Sequence, residues 1–144
     1  MANVAHVDWV PRWVRLALGA VALMNVAFGI AGYLDGGLLF HGAAVTAAPE
    51  VLRHASWDYS ARNLAIGVAL AVVAARGVPE SVAIVTIIRA LIELQTIGIA
   101  AATGTLGGGT AMAVMFLVLE LVVIRTVVGV IARRDAAREG TRAA

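Results

Sequence analysis

The sequence contains no cysteine and no lysine, and only 14% of its 144 residues are charged. Without cysteine the chain can form no disulfide, no thiolate metal site and no cysteine nucleophile. Phosphate-loop, zinc, nucleophile-elbow and nucleotide-binding motifs are absent too. The formal net charge of +2 is small and lies mainly near the two ends. The sequence therefore predicts no metal, no cofactor and no nucleic-acid partner, and its arginine-only basic residues are typical of a GC-rich bacterial genome.

Hydrophobic residues make up 61% of the chain and give a mean hydropathy of +0.91. A soluble domain is about half apolar and about a quarter charged. Here the apolar residues form blocks of about twenty, the length at which a helix crosses a ~30 Å hydrocarbon core. We therefore predict an all-α, four-transmembrane-helix bundle that forms one domain over residues 1–144. The predicted spans are residues 13–34, 57–75, 80–103 and 110–132.

Sequence signals also mark the helix ends. Pro79 suits the first turn of the third span, and Gly104 follows its last residue. The charged segment after the fourth span predicts a helical extension. A long outer loop, residues 35–56, joins the first two spans, and within it Pro49 and Glu50 predict the start of a short helix.

Arginines flank the predicted spans mainly on one side of the membrane. An even number of spans places seven of them together: Arg12, Arg15, Arg76, Arg133, Arg134, Arg138 and Arg142. Because basic residues accumulate on the cytoplasmic side, both termini are predicted to be cytoplasmic in a multi-pass inner-membrane protein. Arg53 and Arg62 then lie on the outer side, close to the acidic residues Glu50 and Asp58.

The third span carries Arg89, Glu93 and Thr96 on one stripe, because helical positions advance by about 100° per residue. A charge at the bilayer centre costs at least ~2.5–3.5 kcal/mol on insertion scales. This face of the helix must therefore contact protein or water. Thr86 and Thr103 extend the same stripe.

The other spans also carry polar or small residues on single faces. Glu120 lies near the centre of the fourth span, without a cationic neighbour on its own helix. Asn25 aligns with small residues that let helices approach closely, namely Ala22, Gly29, Gly32 and Gly36. Asp58 and Arg62 have the spacing of a helical ion pair.

We expect these side chains to form a column inside the bundle, with Arg62 and Asn63 near the outer mouth, Glu93 and Glu120 at the centre, and Arg89 below. The predicted ligand-binding residues are Asn25, Arg62, Asn63, Arg89, Glu93, Thr96 and Glu120. Glu93, Glu120 and Asp58 are candidate catalytic carboxylates. A purely structural ion pair between Arg89 and Glu93 is the alternative, and Glu120 either pairs with Arg89 or Arg62 or is held protonated.

Two segments carry a family resemblance: residues 59–67, with the sequence YSARNLAIG, and residues 89–93, with the sequence RALIE after a short Arg-Gly turn. The chain resembles small bacterial four-helix membrane proteins of the DoxX-like and related uncharacterised four-transmembrane families. The resemblance implies a four-helix bundle and little specific biochemistry.

Three functions agree with these features. The first is binding or transport of a small lipophilic or amphiphilic molecule in an intramembrane polar pocket. The second is a membrane enzyme that performs acid–base chemistry, such as isomerisation, hydrolysis or cyclisation, on a lipophilic substrate. The third is an accessory subunit of a larger membrane complex. The expected partners are the lipid bilayer, a small lipophilic ligand, and further copies of the chain or a larger complex.

Overall fold

The computed structural model describes residues 10–34 and 49–143 of the chain, and these residues are almost entirely helical. They form four helices: α1 (Arg12–Leu34), α2 (Pro49–Arg76), α3 (Pro79–Thr103) and α4 (Gly108–Ala143). The predicted all-α fold is confirmed. Residues 35–48, most of the predicted outer loop, lie outside the described residues.

The main difference from the predicted boundaries is the start of α2. The predicted short helix does begin at Pro49, but it continues without a break into the predicted second span. The physical reason is that proline and an acidic residue favour the first helical turn, and neither glycine nor proline interrupts residues 50–66. The charged segment at the other end of the chain likewise continues α4 to Ala143.

Glycines make the two short turns that flank α3. Gly77 has a φ of 65° and Gly104 a φ of 68°, a backbone conformation that side chains other than glycine rarely adopt. The N–H groups of Gly104 and Thr105 donate to the carbonyl oxygens of Ala101 and Ala100. These bonds satisfy carbonyl groups that the end of a helix otherwise leaves without partners. The predicted end of α3 is confirmed.

Three of the helices in the described residues are long and apolar enough to cross a membrane: α1, α3 and α4. Their exposed side chains are themselves large and apolar, as at Leu23, Leu91 and Leu121. Helix α2 differs because its N-terminal half is polar, and its apolar run, residues 64–75, is only ~18 Å long at ~1.5 Å per residue. The structure therefore indicates a membrane protein, and the crossing by α2 stays a prediction.

The described residues divide into two compact units, and one of them contains residues 10–15 and 76–143. In this unit α3 and α4 pack side by side in opposite directions. Glu80 at the start of α3 pairs with Arg134 late in α4, whereas Arg89, further along α3, lies beside Glu120. Buried residues recur every three or four positions on each helix. They include Val82, Thr86, Arg89 and Glu93 on α3, and Ala113, Phe116, Glu120, Val123, Val127 and Val130 on α4.

The other unit, residues 16–34 and 49–75, pairs α1 with α2 through small residues. The Ser56 hydroxyl donates to the carbonyl oxygen of Gly32 at 2.7 Å. A Cβ atom added to Gly29 would lie 2.6 Å from Leu64 Cγ, and one added to Gly67 would lie 2.8 Å from Val26 Cγ2. The predicted small-residue face of α1 is thus confirmed at Gly29, where α2 approaches too closely for a larger side chain. Gly36 lies outside the described residues.

Substituting either close-contact glycine is expected to destabilise the protein. Gly29→Ala and Gly67→Ala should each lower the free energy of unfolding by about 1–3 kcal/mol, because the new methyl group overpacks the contact between α1 and α2. Gly19→Ala is the matched control on α1, since nothing lies within 4 Å of its added Cβ. Thermal unfolding in detergent measures all three variants. Equal melting temperatures for Gly19→Ala and Gly29→Ala would contradict the close approach.

Candidate functional site

A buried ion pair on α3 forms the centre of the candidate site. Arg89 and Glu93 are separated by one helical turn, and the Arg89 guanidinium donates a hydrogen bond from Nη1 to Glu93 Oε1. Arg89 is 6% exposed and Glu93 is 7% exposed. The predicted pairing within the helix is confirmed. Because buried charges cost less when they are paired and hydrogen-bonded, this contact accounts for the burial of both side chains.

Glu120 on α4 brings a second carboxylate to the same guanidinium. Its Oε1 lies 3.7 Å from Arg89 Nε, so Arg89 is the cross-helix partner that was one of the predicted alternatives. Glu120 is 2% exposed, and neither carboxylate oxygen accepts a hydrogen bond from any described residue. A separation of 3.7 Å exceeds the ~2.7–3.2 Å of an N–H···O bond. Glu120 thus interacts with Arg89 by charge alone, and its oxygens accept no hydrogen bond within the part of the chain that the structure describes.

Arg89, Glu93 and Glu120 together constitute the α3–α4 charge cluster. The cluster contains one guanidinium and two carboxylates, so its formal charge is −1 when all three groups are ionised. The ring of Phe116, one turn before Glu120, lies under the guanidinium, with 5.4 Å between Arg89 Cζ and the ring centroid. A cation over an aromatic face is electrostatically favourable, so Phe116 holds Arg89 from the side of α4.

The cluster lies near the middle of α3 and about one-third of the way along α4. At ~1.5 Å per residue, Glu93 is ~20 Å along α3 from Glu80 and ~16 Å from Gly104. Glu80 pairs with Arg134, and the Glu80 side chain is partly exposed. The buried polar side chains of α3 are therefore confined to Thr86, Arg89 and Glu93, and the Glu80–Arg134 pair lies at the far end of the helix. Apolar residues or Thr86 occupy the neighbouring buried positions, and the Thr86 hydroxyl donates to the Val82 carbonyl of its own helix.

Thr96 does not join the cluster, although it belongs to the same predicted stripe. It is exposed, and its hydroxyl donates to the carbonyl oxygen of Ile92 at 2.9 Å. Thr103 is exposed as well and bonds to the carbonyl oxygen of Ile99. The polar stripe of α3 is therefore buried only from Thr86 to Glu93, where α4 supplies Phe116 and Glu120.

The other predicted site residues belong to the unit of α1 and α2. The buried amide of Asn25 donates to the Val21 carbonyl at 2.7 Å, and Asn63 donates to the Tyr59 carbonyl at 2.8 Å. Arg62 is exposed, and its Nε bonds at 3.4 Å to the backbone carbonyl of Asp58 rather than to its carboxylate. Each of these three side chains therefore donates to a backbone carbonyl of its own helix, and the column that joins them to Glu93 and Glu120 stays a prediction.

An aromatic group surrounds Trp57 in the same unit. The Trp57 ring lies 6.5 Å from that of Tyr33 at the end of α1, and the His54 ring meets it edge-on at 6.0 Å. The guanidinium carbon of Arg53 lies 5.4 Å from its centroid. Tryptophan and tyrosine with a nearby arginine are typical of the membrane–water boundary. This group therefore favours a membrane–water boundary that passes the C-terminal end of α1 and lies one-third of the way along α2.

Phe116 is the site residue that sequence reasoning missed. It occupies the same face of α4 as Glu120, one turn earlier, so its spacing was a usable signal. The residues of α2 that face α1 were missed in the same way, although they recur at helical spacing: Ser56, Ser60 and Gly67. No group of three or more His, Asp or Glu side chains lies close enough together to hold a metal ion within residues 10–34 and 49–143.

Comparison of the chain with protein-family models, with curated proteins and with solved structures finds no match. The functional argument therefore rests on the α3–α4 charge cluster itself. Chemically, the cluster offers a buried carboxylate with free lone pairs next to a fixed positive charge. Such a group can accept hydrogen bonds from a ligand or take a proton from a substrate.

Proposed function

We propose that the chain is a multi-pass inner-membrane protein with four membrane-spanning helices and cytoplasmic termini. The three long apolar helices support the membrane location. Helix α2 is 28 residues long, ~42 Å at ~1.5 Å per residue, and it packs antiparallel to α1 through Ser56, Gly29 and Gly67. This antiparallel contact along α1 supports a membrane crossing by α2. The proposal includes a relationship to the DoxX-like families, which the chain resembles in sequence.

Single cysteines in this cysteine-free chain test the topology. Glu50→Cys and Thr105→Cys should react with an impermeant thiol reagent added outside intact cells, whereas Arg76→Cys and Arg138→Cys should react only after the membrane is permeabilised. All four positions are exposed. Glu50 and Arg76 are the two ends of α2, so labelling of both from one side would show that α2 does not cross.

For the activity, we propose that the α3–α4 charge cluster binds a small amphiphilic molecule inside the membrane. The observation that carries this proposal is the Glu120 carboxylate, which is buried but accepts no hydrogen bond from the described residues. Leaving a buried acceptor without a bond costs about 1–3 kcal/mol, and more when it is charged. A ligand that donates to Glu120 removes this cost. Binding or transport of such a molecule therefore explains why Glu120 is buried without a hydrogen bond, whereas a closed ion-pair network does not explain it.

Acid–base catalysis on a lipophilic substrate is the second candidate, because the same free lone pairs of Glu120 could take a proton. In that case Glu93 is a weaker choice of base, since it already accepts a hydrogen bond from Arg89. Asp58 is exposed on α2 and is not part of the cluster. Conversion of a bound molecule into a product of different mass would favour the enzyme over the binding protein.

Native mass spectrometry of the protein purified in mild detergent tests the binding proposal. We expect wild-type protein to retain a small amphiphile, Glu120→Gln to lose it, and the control Glu139→Gln to keep it. Glu139 lies exposed on the C-terminal extension of α4, so its substitution changes the net charge equally without touching the cluster. Recovery of a stoichiometric protein partner with no small ligand would instead identify an accessory subunit.

A further inference from the structure

The charge of the cluster restricts which ligand can satisfy it. Two buried carboxylates face one guanidinium, and the guanidinium hydrogen-bonds to Glu93 while remaining 3.7 Å from Glu120. With all three groups ionised, the cluster therefore has an excess negative charge, and among the described residues Glu120 carries acceptor oxygens without a hydrogen bond. A ligand that neutralises this charge and also hydrogen-bonds to the Glu120 oxygens carries a positive charge and N–H donors.

We infer that the ligand is a cationic amphiphile, an ammonium group on an apolar tail, whose N–H groups donate to the Glu120 carboxylate. This inference rests on the proposed function. An ammonium group brings the formal charge of the cluster to zero and supplies up to three donors for the two carboxylate oxygens. Charge-assisted bonds of this kind are about twice as strong as bonds between neutral groups.

The surroundings of Glu120 match the rest of such a molecule. The neighbouring buried positions on the same face of α4 are Ala113, Phe116, Val123 and Val127, and none of them offers a side-chain hydrogen-bond donor or acceptor. A tail that displaces the packing around these positions therefore meets no side-chain hydrogen-bonding group of α4 among them. A neutral alcohol would satisfy one oxygen and leave the excess charge, and an anion would add a third negative group.

Four probes with the same twelve-carbon tail and different head groups test the inference: dodecylammonium, dodecyltrimethylammonium, dodecanol and dodecanoate. Binding of each probe to the protein in lipid nanodiscs is measured by native mass spectrometry. Wild type, Glu120→Gln and the control Glu139→Gln are compared, so that partitioning of the tail into lipid is the same for all three proteins.

We expect wild type to bind dodecylammonium about 10- to 100-fold more tightly than dodecanol, because hydrogen bonds to charged groups contribute about 1.5–3 kcal/mol. Dodecyltrimethylammonium, which has the charge but no N–H donor, should fall between them, and dodecanoate should bind most weakly. Glu120→Gln should lose the preference for the cations, and Glu139→Gln should keep it. Glu120→Asp retains the charge and should preserve the order of head groups even if its affinity falls.

The head-group order in wild type needs no variant, so the inference stays testable if Glu120→Gln fails to fold. If dodecanol binds as tightly as dodecylammonium and both are lost in Glu120→Gln, the site stands but its cation preference is overturned. Tightest binding of dodecanoate overturns the inference as well, because Arg89 would then be the recruiting group. If no probe binds wild type better than it binds Glu120→Gln, the proposed function fails together with the inference.

Discussion

Arg89→Ala is expected to lower the free energy of unfolding by about 3–5 kcal/mol, because it leaves buried carboxylates without their counter-charge. Glu93 loses the donor of its hydrogen bond, and Glu120 loses the only guanidinium within 4.0 Å among the described residues. The Phe116 ring also loses the cation above it. Equilibrium unfolding in mixed micelles with increasing sodium dodecyl sulfate, followed by loss of helical circular dichroism, measures this difference.

Compensating substitutions separate the charge effect from packing. Arg89→Met with Glu93→Leu removes one charge of each sign and should recover only part of the loss, because Glu120 stays buried without a counter-charge. Adding Glu120→Leu should recover most of the remainder, since well-packed apolar residues often replace a buried ionic group without loss of stability. Arg125→Ala is the control, because Arg125 is exposed on the same α4 and its removal should change stability by at most about 0.5 kcal/mol.

Two results would contradict this account. If Arg89→Ala unfolds at the same denaturant concentration as wild type, water reaches the cluster and its charges are not desolvated. If the triple variant is no more stable than Arg89→Ala, the loss comes from missing side-chain volume between α3 and α4 rather than from unpaired charge.

The helices could be predicted closely from the sequence because their signals are local. Pro79 and Gly104 determine the ends of α3 through their backbone restrictions alone, which no distant contact alters. The helix start at Pro49 is predicted, but its continuity with the second span is not, because the polar residues between Pro49 and Trp57 favour a loop there. Polarity determines whether a segment enters lipid, but it does not end a helix, so an unbroken α2 extends beyond its apolar run.

The charge cluster could be predicted only in part: the contact within α3 follows from the sequence, but the contact between α3 and α4 does not. The pairing of Arg89 with Glu93 follows from one-turn spacing on one helix. The approach of Glu120 requires the relative register of α3 and α4, which spacing within one helix does not contain. For the same reason Thr96 was placed in the site: it shares the stripe of Glu93, but whether that part of the stripe is covered depends on the neighbouring helix.

The spacing of Asp58 and Arg62 shows the limit of such local rules. The two residues have the same four-residue separation as Arg89 and Glu93, yet Arg62 bonds to a backbone carbonyl instead of the carboxylate. Both side chains are exposed, and an exposed ion pair contributes little against the entropy of two long side chains. Burial, which the sequence indicates only indirectly, decides which of the two pairs forms.

Glu120→Leu is expected to have an effect on stability opposite in sign to that of Arg89→Ala. It should raise the free energy of unfolding by about 1–3 kcal/mol, because it removes two buried acceptors that have no hydrogen bond from the described residues. The neutral, hydrogen-bonded pair of Arg89 and Glu93 remains. The same substitution should abolish binding of the amphiphilic ligand. Unfolding in sodium dodecyl sulfate and native mass spectrometry of one preparation measure both effects.

Glu93→Leu is the matched comparison, because it removes a carboxylate of the same charge from the same cluster. It should destabilise the protein, since the Arg89 guanidinium then loses the acceptor to which it donates. A residue that lowers stability and yet is required for binding is typical of a functional site, because a residue that served only the fold would not lower its stability. If Glu93→Leu and Glu120→Leu lose equal stability, both carboxylates serve the fold, and the cluster is an ion-pair network that holds α3 against α4.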